Sequence, residues 1–294
     1  MSKIKIITDT CADLDKGLLD TYGVDIARMT VRINGERFYV SPEHGGISTK
    51  EPYEAMRAGK SVSVEPVSAT ELEQVFTKYA DDGFDIVYVA CSAALSKSFE
   101  TGKLVARRVM EKRVGSKIVC VDSESACGGE ALVVIEAAEF AKTAQSIGDV
   151  AEHIEGRKTR VVNIGTVSDF DYLKSIGAIK SSEAFFGKLF GKFPIIANGA
   201  VVKKIGGREN ALDACVQTLQ SCLTDEFPAS EQTIFIEHGD DGEAADRLAD
   251  KVKELIAPKS VHVCRLGPML GAFNGPNAVA LFGFGDPALA TVKK

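Results

Sequence analysis

The stretch "KIKIITDTCADL" (residues 3–14) places an apolar run directly before a cluster of hydroxyl and carboxylate side chains. Two later segments repeat this order, "FDIVYVACSAALS" (84–96) and "KIVCVDSESACGG" (117–129). Each apolar run is nearly continuous and does not alternate, which is typical of strands buried on both faces of a parallel sheet. Because helices fit between these strands, the pattern predicts an α/β domain with a doubly wound, mainly parallel sheet. The predicted helices span 14–22, 68–81, 97–113 and 129–146.

The second half of the chain predicts a different arrangement of helices and strands. Asn198 and Gly199 separate two apolar runs, a pattern that favours an antiparallel hairpin. Strands alternate with helices beyond it, so we expect an α/β (α+β) domain with a mixed sheet. The predicted domains are 1–158 and 159–294. The predicted elements after the hairpin are helices at 208–224 and 242–256 and strands at 233–239 and 260–268.

Several residues carry local signals for helix starts and turns. Ser68 followed by Glu71 matches a capping box, and Asp13 is interpreted as a cap or first-turn acid of the first helix. The region 33–66 predicts an extended strand, a polar loop and a short helix. In the glycine-rich run near the end of the chain, Gly267-Pro268 and Gly275-Pro276 are interpreted as turns.

The composition is that of a globular protein with a full core, and it limits the class of partner. Of 294 residues, 45% are hydrophobic and 26% are charged. The formal net charge of −6 argues against nucleic acid as the main partner. The first apolar run is too short for a signal peptide, and none is long enough for a membrane span, so we expect a cytoplasmic protein.

The seven cysteines and four histidines form no recognisable metal motif in the sequence. There is no CxxC pair, and the histidines have none of the spacings found in zinc sites. Cys91, Cys120 and Cys264 lie in apolar runs, so the cysteines are interpreted as small core residues. We therefore predict neither a metal nor a cofactor.

Polar side chains follow the three predicted strands of the first domain. Carboxyl ends of parallel strands meet at one edge of a sheet, where ligands of α/β proteins bind, so this edge is predicted to be a binding site. The alternative is that the same residues only cap the helices that follow. The residues concerned are Thr8, Asp9, Thr10, Ser92, Ser96, Asp122, Ser123 and Ser125.

An aromatic segment, "FFGKLFGKF" (185–193), offers an apolar surface if it is helical. Its stripe is typical of a helix packed in a core, but at a domain interface it could line a tunnel for an apolar ligand. The stripe consists of Phe186, Leu189, Phe190 and Phe193.

Catalytic motifs are missing from the sequence. No serine lies in G-x-S-x-G, and His238 and His262 fall in predicted strands, where they are interpreted as structural. We predict that the protein is not an enzyme. The alternative is an enzyme that acts on a small polar substrate at the strand ends through Asp9, Thr10 and Ser92.

The order of motifs along nearly the whole chain resembles that of the DegV family. The opening residues 3–14 resemble the family's strand followed by D-S-T-A-D-L. Further matching segments are "EPVSATELEQVF", "CSAALSKSFETGKLVA", "VDSESACGGEALVVIEAAEFAK", "VSDFDYLKSIGAIKSSEAFFGKLFGKFPII" and "LGPMLGAFNGPNAVALFGFG". The resemblance implies two α/β domains with a long-chain fatty acid in a buried tunnel between them. It also implies a carrier, not an enzyme, that presents the fatty acid to a separate kinase.

The residues that contact the carboxylate in the family differ in this chain. The family's threonine falls on Val64 with Ser63 beside it, and the second serine of its S-S pair falls on Ala93. The family's histidine falls on Phe273, with Asn274 next to it. We therefore expect a diverged head-group site. The predicted ligand-binding residues are Thr10, Ser63, Val64, Ser92, Ala93, Ser96, Phe273 and Asn274.

Two family arginines are also replaced. One falls on Ala178, and another falls on Gly206, which leaves Arg208 nearby. These replacements put the partner kinase in question. A tail of about 15 methylenes contributes on the order of 10 kcal/mol on burial, so tail binding is expected to persist. If the head group finds no donors, the expected ligand is a neutral lipid.

Overall fold

The computed structural model describes residues 3–40, 46–169, 172 and 192–290. The chain forms two compact units. Unit 1 consists of Met1–Ser48 and Ser63–Thr159, and unit 2 consists of Thr49–Val62 and Arg160–Lys294. The units therefore differ from the predicted continuous domains in the segment Thr49–Val62, which belongs with the second half of the chain.

The helices and strands follow the apolar runs of the sequence. No helix in the described ranges has the length and apolar character needed to cross a membrane. The strands are β1 (Lys3–Asp9), β2 (Asp25–Ala27), β3 (Thr30–Ile33), β4 (Glu36–Tyr39), β5 (Val62–Glu65), β6 (Phe84–Ala90), β7 (Ile118–Asp122), β8 (Val161–Thr166), β9 (Lys192–Ala197), β10 (Ala200–Gly206), β11 (Thr233–His238), β12 (Ser260–Arg265) and β13 (Val279–Phe284). The helices are α1 (Lys16–Tyr22), α2 (Lys50–Arg57), α3 (Ala69–Asp81), α4 (Ser98–Lys112), α5 (Gly128–Ala141), α6 (Ile147–Arg157), α7 (Arg208–Cys222), α8 (Gly242–Leu255) and α9 (Pro268–Asn274).

The main sheet of unit 1 is parallel throughout, which confirms the predicted α/β arrangement. Its strand order is β2-β1-β6-β7, and each neighbouring pair runs parallel. Ile7 and Val87 are fully buried, in agreement with the continuous apolar runs of these strands. The carboxyl ends of β1, β6 and β7 therefore lie side by side at one edge.

A second, smaller sheet of unit 1 contains a hairpin that was not predicted from the sequence. Its order is β4-β3-β5, and β3 pairs antiparallel with β4. Asn34 and Gly35 form the turn, with φ angles of 50° and 88°. The Asn-Gly pair was a readable hairpin signal, because both central residues of such a turn need positive φ.

Two local predictions in unit 1 need correction. Ser68 accepts a hydrogen bond from Glu71 N at 3.1 Å, but the Glu71 carboxylate binds the Arg28 guanidinium at 2.7 and 3.1 Å. Asp13 does not cap the first helix: its backbone lies in the left-handed region, and Asp15 accepts the hydrogen bond from Leu18 N instead. Arg28 lies 43 positions from Glu71, so that partner could not be identified from sequence spacing. Asp15 carried a local N-cap signal that was missed.

Unit 2 is built on one mixed sheet, as predicted for the second half of the chain. The strand order is β10-β9-β8-β13-β11-β12, and only β11 and β12 of this sheet pair parallel. Asn198 and Gly199 form the turn between β9 and β10 with φ angles of 49° and 80°, which confirms the predicted hairpin.

A short helix replaces one of the predicted turns. Gly267 precedes α9, and Pro268 occupies its first turn, where the missing N–H of proline is tolerated. Tyr53 of α2 donates a hydrogen bond to Leu266 O at 2.8 Å. This contact holds α2 against the start of α9 and explains why Thr49–Val62 belongs to unit 2.

The predicted aromatic stripe is described only at its last residue. Phe193 lies in strand β9, not in a helix, and it packs against the core of unit 2. Phe186, Leu189 and Phe190 lie outside the described residues, as does Ala178.

Gly285 supplies a test of packing at the end of β13. A Cβ atom added there would lie 2.3 Å from Cys222 O, whereas one added at exposed Gly156 in α6 would meet nothing within 4 Å. We expect Gly285→Ala to lower the free energy of unfolding by about 2–3 kcal/mol. The matched variant Gly156→Ala should raise it by up to about 1 kcal/mol. Urea unfolding of both variants checks this, and equal effects would show that the close approach of Cys222 O does not restrict position 285.

His238 predicts a pH dependence of stability. Its Nδ1 accepts a hydrogen bond from Asp241 N at 2.9 Å, and burial, followed by the charge of Arg265, lowers the pKa of His238 below its usual 6.5. The unfolded chain therefore binds more protons, so stability present above pH 6.5 is lost as the pH falls below that value. Urea unfolding between pH 5 and 7.5 measures this loss. We expect it to shrink in His238→Asn, whose side-chain oxygen can still accept the bond; an unchanged profile would contradict the assignment.

Candidate functional site

The predicted polar residues do meet at the carboxyl ends of the parallel strands. Asp9 at the end of β1 accepts a hydrogen bond from Cys91 N, just beyond β6, at 3.1 Å. Asp122 at the end of β7 accepts one from Ala93 N, also at 3.1 Å. Parallel pairing of three neighbouring strands thus brings residues from distant parts of the chain to one edge.

Asp9 organises this edge and is not a free acid. Its carboxylate accepts hydrogen bonds from Cys11 N at 3.0 Å, Tyr88 Oη at 3.1 Å and Cys91 N. Burial raises the pKa of Asp9 to about 6, against the opposing effect of these three hydrogen bonds. Because Asp9 is fully buried and its oxygens are engaged, it is suited to hold two strand ends together and not to meet a substrate.

Glu130 is a buried acid that was not predicted from the sequence. It lies in the first turn of α5, and its Oε1 accepts a hydrogen bond from Thr8 Oγ1 at 2.9 Å. Its Oε2 is buried and has no hydrogen-bond partner among the described residues. Burial, followed by the charge of Asp9, raises the pKa of Glu130 well above its usual range. A glutamate within the apolar run "GGEALVVIEAA" (128–138), which also contains Glu136, was the available signal.

Thr10 serves a structural purpose at this edge. Its Oγ1 accepts a hydrogen bond from Met29 N at 2.9 Å, which ties the short helix after β1 (Thr10–Ala12) to the segment that follows β2. The predicted enzyme alternative required Asp9 and Thr10 to face a substrate. Their engagement in these bonds favours the capping and bracing interpretation for both residues.

Ser92 and Ser96 in the loop after β6, with the unpredicted Ser98 at the start of α4, form a buried hydroxyl cluster. Ser92 Oγ accepts a hydrogen bond from Ala94 N at 3.3 Å, which leaves the hydroxyl proton of Ser92 available for donation. Ser96 Oγ and Ser98 Oγ lie 2.9 Å apart, and Ser98 Oγ also accepts a bond from Val67 N at 3.1 Å. One proton of the Ser96–Ser98 pair therefore stays available as well. Ala93 adds no side-chain donor.

The other predicted site residues lie in other parts of the fold. Ser63 and Val64 lie in β5 of unit 1, where Ser63 is exposed and Val64 is half-buried. Phe273 and Asn274 lie in α9 of unit 2, and the Phe273 side chain is 58% exposed. The exposed phenyl ring brings no hydrogen-bond donor to its position.

Arg208, the arginine left beside Gly206, is engaged within unit 2. Its guanidinium donates to Asn277 O at 3.1 Å, to Ser168 Oγ and to Asp241 Oδ2. A guanidinium held by three partners is a structural group here. Gly206 itself is the exposed last residue of β10.

The fold is that of a two-unit α/β protein with hydroxyl-rich strand ends. Comparison with known families identifies the family within this class. A family model described as "Uncharacterised protein, DegV family" matches residues 3–285. A DegV domain-containing protein of Clostridium perfringens is 29% identical over 291 residues, which cover 97% of this chain and 99% of that protein. The chain belongs to the DegV family, as its motifs indicated.

Solved structures of family members share the fold over the full chain. A DegV family protein from Thermus thermophilus, described by its fatty acid binding, has a TM-score of 0.81 and 19% identity, with 97% of this chain and 100% of that chain covered. The fatty acid kinase B3 protein of Streptococcus pneumoniae, loaded with linoleic acid, has a TM-score of 0.76 and 15% identity with the same coverage. At these identities the similarity shows the fold.

Removal of the Asp9 carboxylate tests its role at the strand ends. We expect Asp9→Ala to lower the free energy of unfolding by on the order of 3 kcal/mol, because Tyr88 Oη and two buried N–H groups lose their acceptor. The control Asp15→Ala removes only the exposed cap of α1 and should cost about 1 kcal/mol. Denaturant unfolding compares the two. Equal losses would show that Asp9 does not brace the sheet.

Proposed function

We propose that this protein binds a long-chain fatty acid and acts as its carrier. The observation that carries the proposal is the full-length match to the DegV fold, in which the Thermus thermophilus and Streptococcus pneumoniae proteins are described with fatty acids. The available hydroxyl protons at the strand ends support it, because a carboxylate needs donors. Asp9 and Thr10 form hydrogen bonds within the fold, and these bonds disfavour the alternative that they act on a substrate as catalytic residues.

The proposed carboxylate donors are the hydroxyls of Ser92 and Ser96. Val64, Ala93 and Phe273 offer no side-chain donor, and the backbone N–H of Ala93 is already bound to Asp122. In the proposed arrangement Ser98 donates its proton to Ser96 Oγ, and Ser96 donates to the ligand. Ser92 and Ser96 would thus replace the donors that the family motifs place at positions 64, 93 and 273.

The tail supplies most of the proposed binding energy. About 15 buried methylenes contribute on the order of 10 kcal/mol before the entropic costs of binding. Each hydrogen bond to a charged head group adds about 1.5–3 kcal/mol. Loss of family head-group contacts therefore weakens binding of the carboxylate and leaves a strong contribution from the tail.

The resemblance to the DegV family implies that the bound fatty acid is presented to a kinase, and this presentation stays a prediction. The fold similarity to the fatty acid kinase B3 protein supports it. Arg208 is held by Asp241 and Asn277, so a kinase contact through that guanidinium would first have to break these bonds. We therefore propose binding and carriage as the function and treat presentation as a separate question.

Titration of delipidated protein with oleic acid tests the proposal. We expect Ser92→Ala and Ser96→Ala each to raise the Kd for oleic acid about tenfold, because each removes a donor to a charged oxygen. The control Ser221→Ala removes an exposed hydroxyl of α7 and should leave the Kd unchanged. Isothermal titration calorimetry measures all four proteins.

Parallel titrations with methyl oleate and oleyl alcohol separate the alternatives. Tighter binding of these neutral lipids than of oleic acid, with no effect of the serine substitutions, would favour a neutral-lipid binder. Failure of the wild-type protein to take up any of the three, together with lipid-free protein by mass spectrometry after purification, would overturn the proposal.

A further inference from the structure

Three metal-ligating groups converge inside unit 1, although no metal-binding motif in the sequence links them. Cys11 Sγ, Cys91 Sγ and a carboxylate oxygen of Glu130 all lie within 4.8 Å of one another, and all three residues are buried. Cys11 lies in the short helix after β1, Cys91 directly follows β6, and Glu130 lies in the first turn of α5. We call this group the Cys–Cys–Glu cluster.

The backbone holds the members of the Cys–Cys–Glu cluster in place. Cys91 N donates to the Asp9 carboxylate at 3.1 Å, and Asp9 also accepts from Cys11 N at 3.0 Å. Cys127 N donates to Cys11 O at 2.9 Å, which fixes the start of α5 against the short helix after β1. The two thiols and the carboxylate are therefore presented by three segments that are bonded to one another.

The Glu130 side chain is oriented as a ligand would be. Thr8 Oγ1 donates to Oε1 at 2.9 Å, and this bond positions the carboxyl group. Oε2 is buried without a hydrogen-bond partner among the described residues. An unpartnered buried oxygen is costly unless something binds it. Metal ligands commonly have such a second hydrogen bond that orients them.

We propose that Cys11, Cys91 and Glu130 bind a thiophilic divalent cation, with Zn²⁺ as the ion that best fits the donors. Two sulfurs and one carboxylate oxygen are zinc ligands, whereas Mg²⁺ and Ca²⁺ prefer oxygen alone. Zinc bonds of about 2.3 Å to sulfur and about 2.0–2.2 Å to oxygen place ligand atoms roughly 3.5–3.8 Å apart. The ligand atoms of the three residues lie within 4.8 Å of one another, so no separation exceeds the lower end of this range by more than about 1.3 Å.

Two further groups lie near the proposed ligands. The Cys11 thiol interacts with the thiol of Cys127 as well as with that of Cys91. Cys127 is not one of the three groups that lie within 4.8 Å of one another, so the site has three protein ligands, as in zinc sites that keep one position open. The Asp9 carboxyl group lies close enough to Glu130 and Cys91 to interact with their charges, and negative charge nearby favours a cation. On binding, the ion replaces the protons of the ligand thiols, which pass to solvent.

Cobalt substitution tests the proposal directly. Tag-free full-length protein is unfolded in a denaturant that also contains a chelator and a phosphine reductant. The chelator is then removed, and the protein is refolded in Co²⁺ and studied by absorption spectroscopy and elemental analysis. Unfolding gives the ion access to the buried cluster. We expect about one Co²⁺ per chain, a thiolate-to-cobalt charge-transfer band, and displacement of Co²⁺ by Zn²⁺.

Variants separate a ligand role from a packing role. Thr8→Val, which removes only the bond that orients Glu130, should weaken Co²⁺ binding about 10–100-fold, and Cys91→Ser and Glu130→Gln should weaken it at least as much. The control Cys215→Ser alters a buried thiol of unit 2 and should leave binding unchanged. Circular dichroism confirms that each variant is folded before binding is measured.

Three results would overturn the proposal. The first is folded wild-type protein without the charge-transfer band at excess Co²⁺. The second is equal Co²⁺ affinity in wild type, Thr8→Val and Glu130→Gln, since Thr8→Val keeps every proposed ligand and is expected to fold. The third is a disulfide between Cys11 and Cys91 or Cys127 in protein purified without exposure to air, as shown by mass spectrometry of non-reduced peptides.

Discussion

The buried carboxylate of Asp9 joins the ends of two central strands, and the arrangement of the other groups at this edge depends on it. It accepts hydrogen bonds from Cys11 N, which follows β1, and from Tyr88 Oη and Cys91 N, which belong to β6 and the residue after it. Burial alone penalises the charged form and raises the pKa of Asp9 to about 6, so these bonds partly offset a real cost. The same hydrogen bonds fix the first residues of the loops after β1 and β6. Both the hydroxyl cluster after β6 and the Cys–Cys–Glu cluster are positioned by that carboxylate.

Binding and capping are not exclusive alternatives at the strand ends, because a hydroxyl that caps a backbone group keeps a proton to donate. Most of the predicted polar residues satisfy backbone groups, as the capping interpretation required: Thr10 receives Met29 N, and Asp122 receives Ala93 N and Glu124 N. Ser92 and Ser96, like Thr10, differ from Asp122 because a hydroxyl accepts one bond and still has a proton to donate. Ionised carboxylates have no such proton. For this reason the serines, and not the acids, are the suitable partners for an anionic head group.

The sequence predicted the strands and helices better than it predicted which side chains contact one another. Continuous apolar runs identified β1, β6 and β7, and the pair Asn198-Gly199 identified the hairpin of unit 2, because each signal is local. The Asn34-Gly35 hairpin and the proline-started helix α9 carried local signals that were missed. By contrast, the pairing of Glu71 with Arg28 and the attachment of α2 to unit 2 through Tyr53 depend on contacts across many residues, which spacing along the chain does not reveal.

The amino-acid sequence by itself determined the strands, the helix starts and membership of the DegV family, because these depend on short-range periodicity and on the order of motifs. Tertiary structure alone decided which polar groups are already satisfied and which keep a donor, since each answer depends on a partner from another segment. It also brought together Cys11, Cys91 and Glu130, whose separation along the chain conceals them from any motif search. Parallel pairing is the physical reason: it aligns the carboxyl ends of strands that are far apart in sequence.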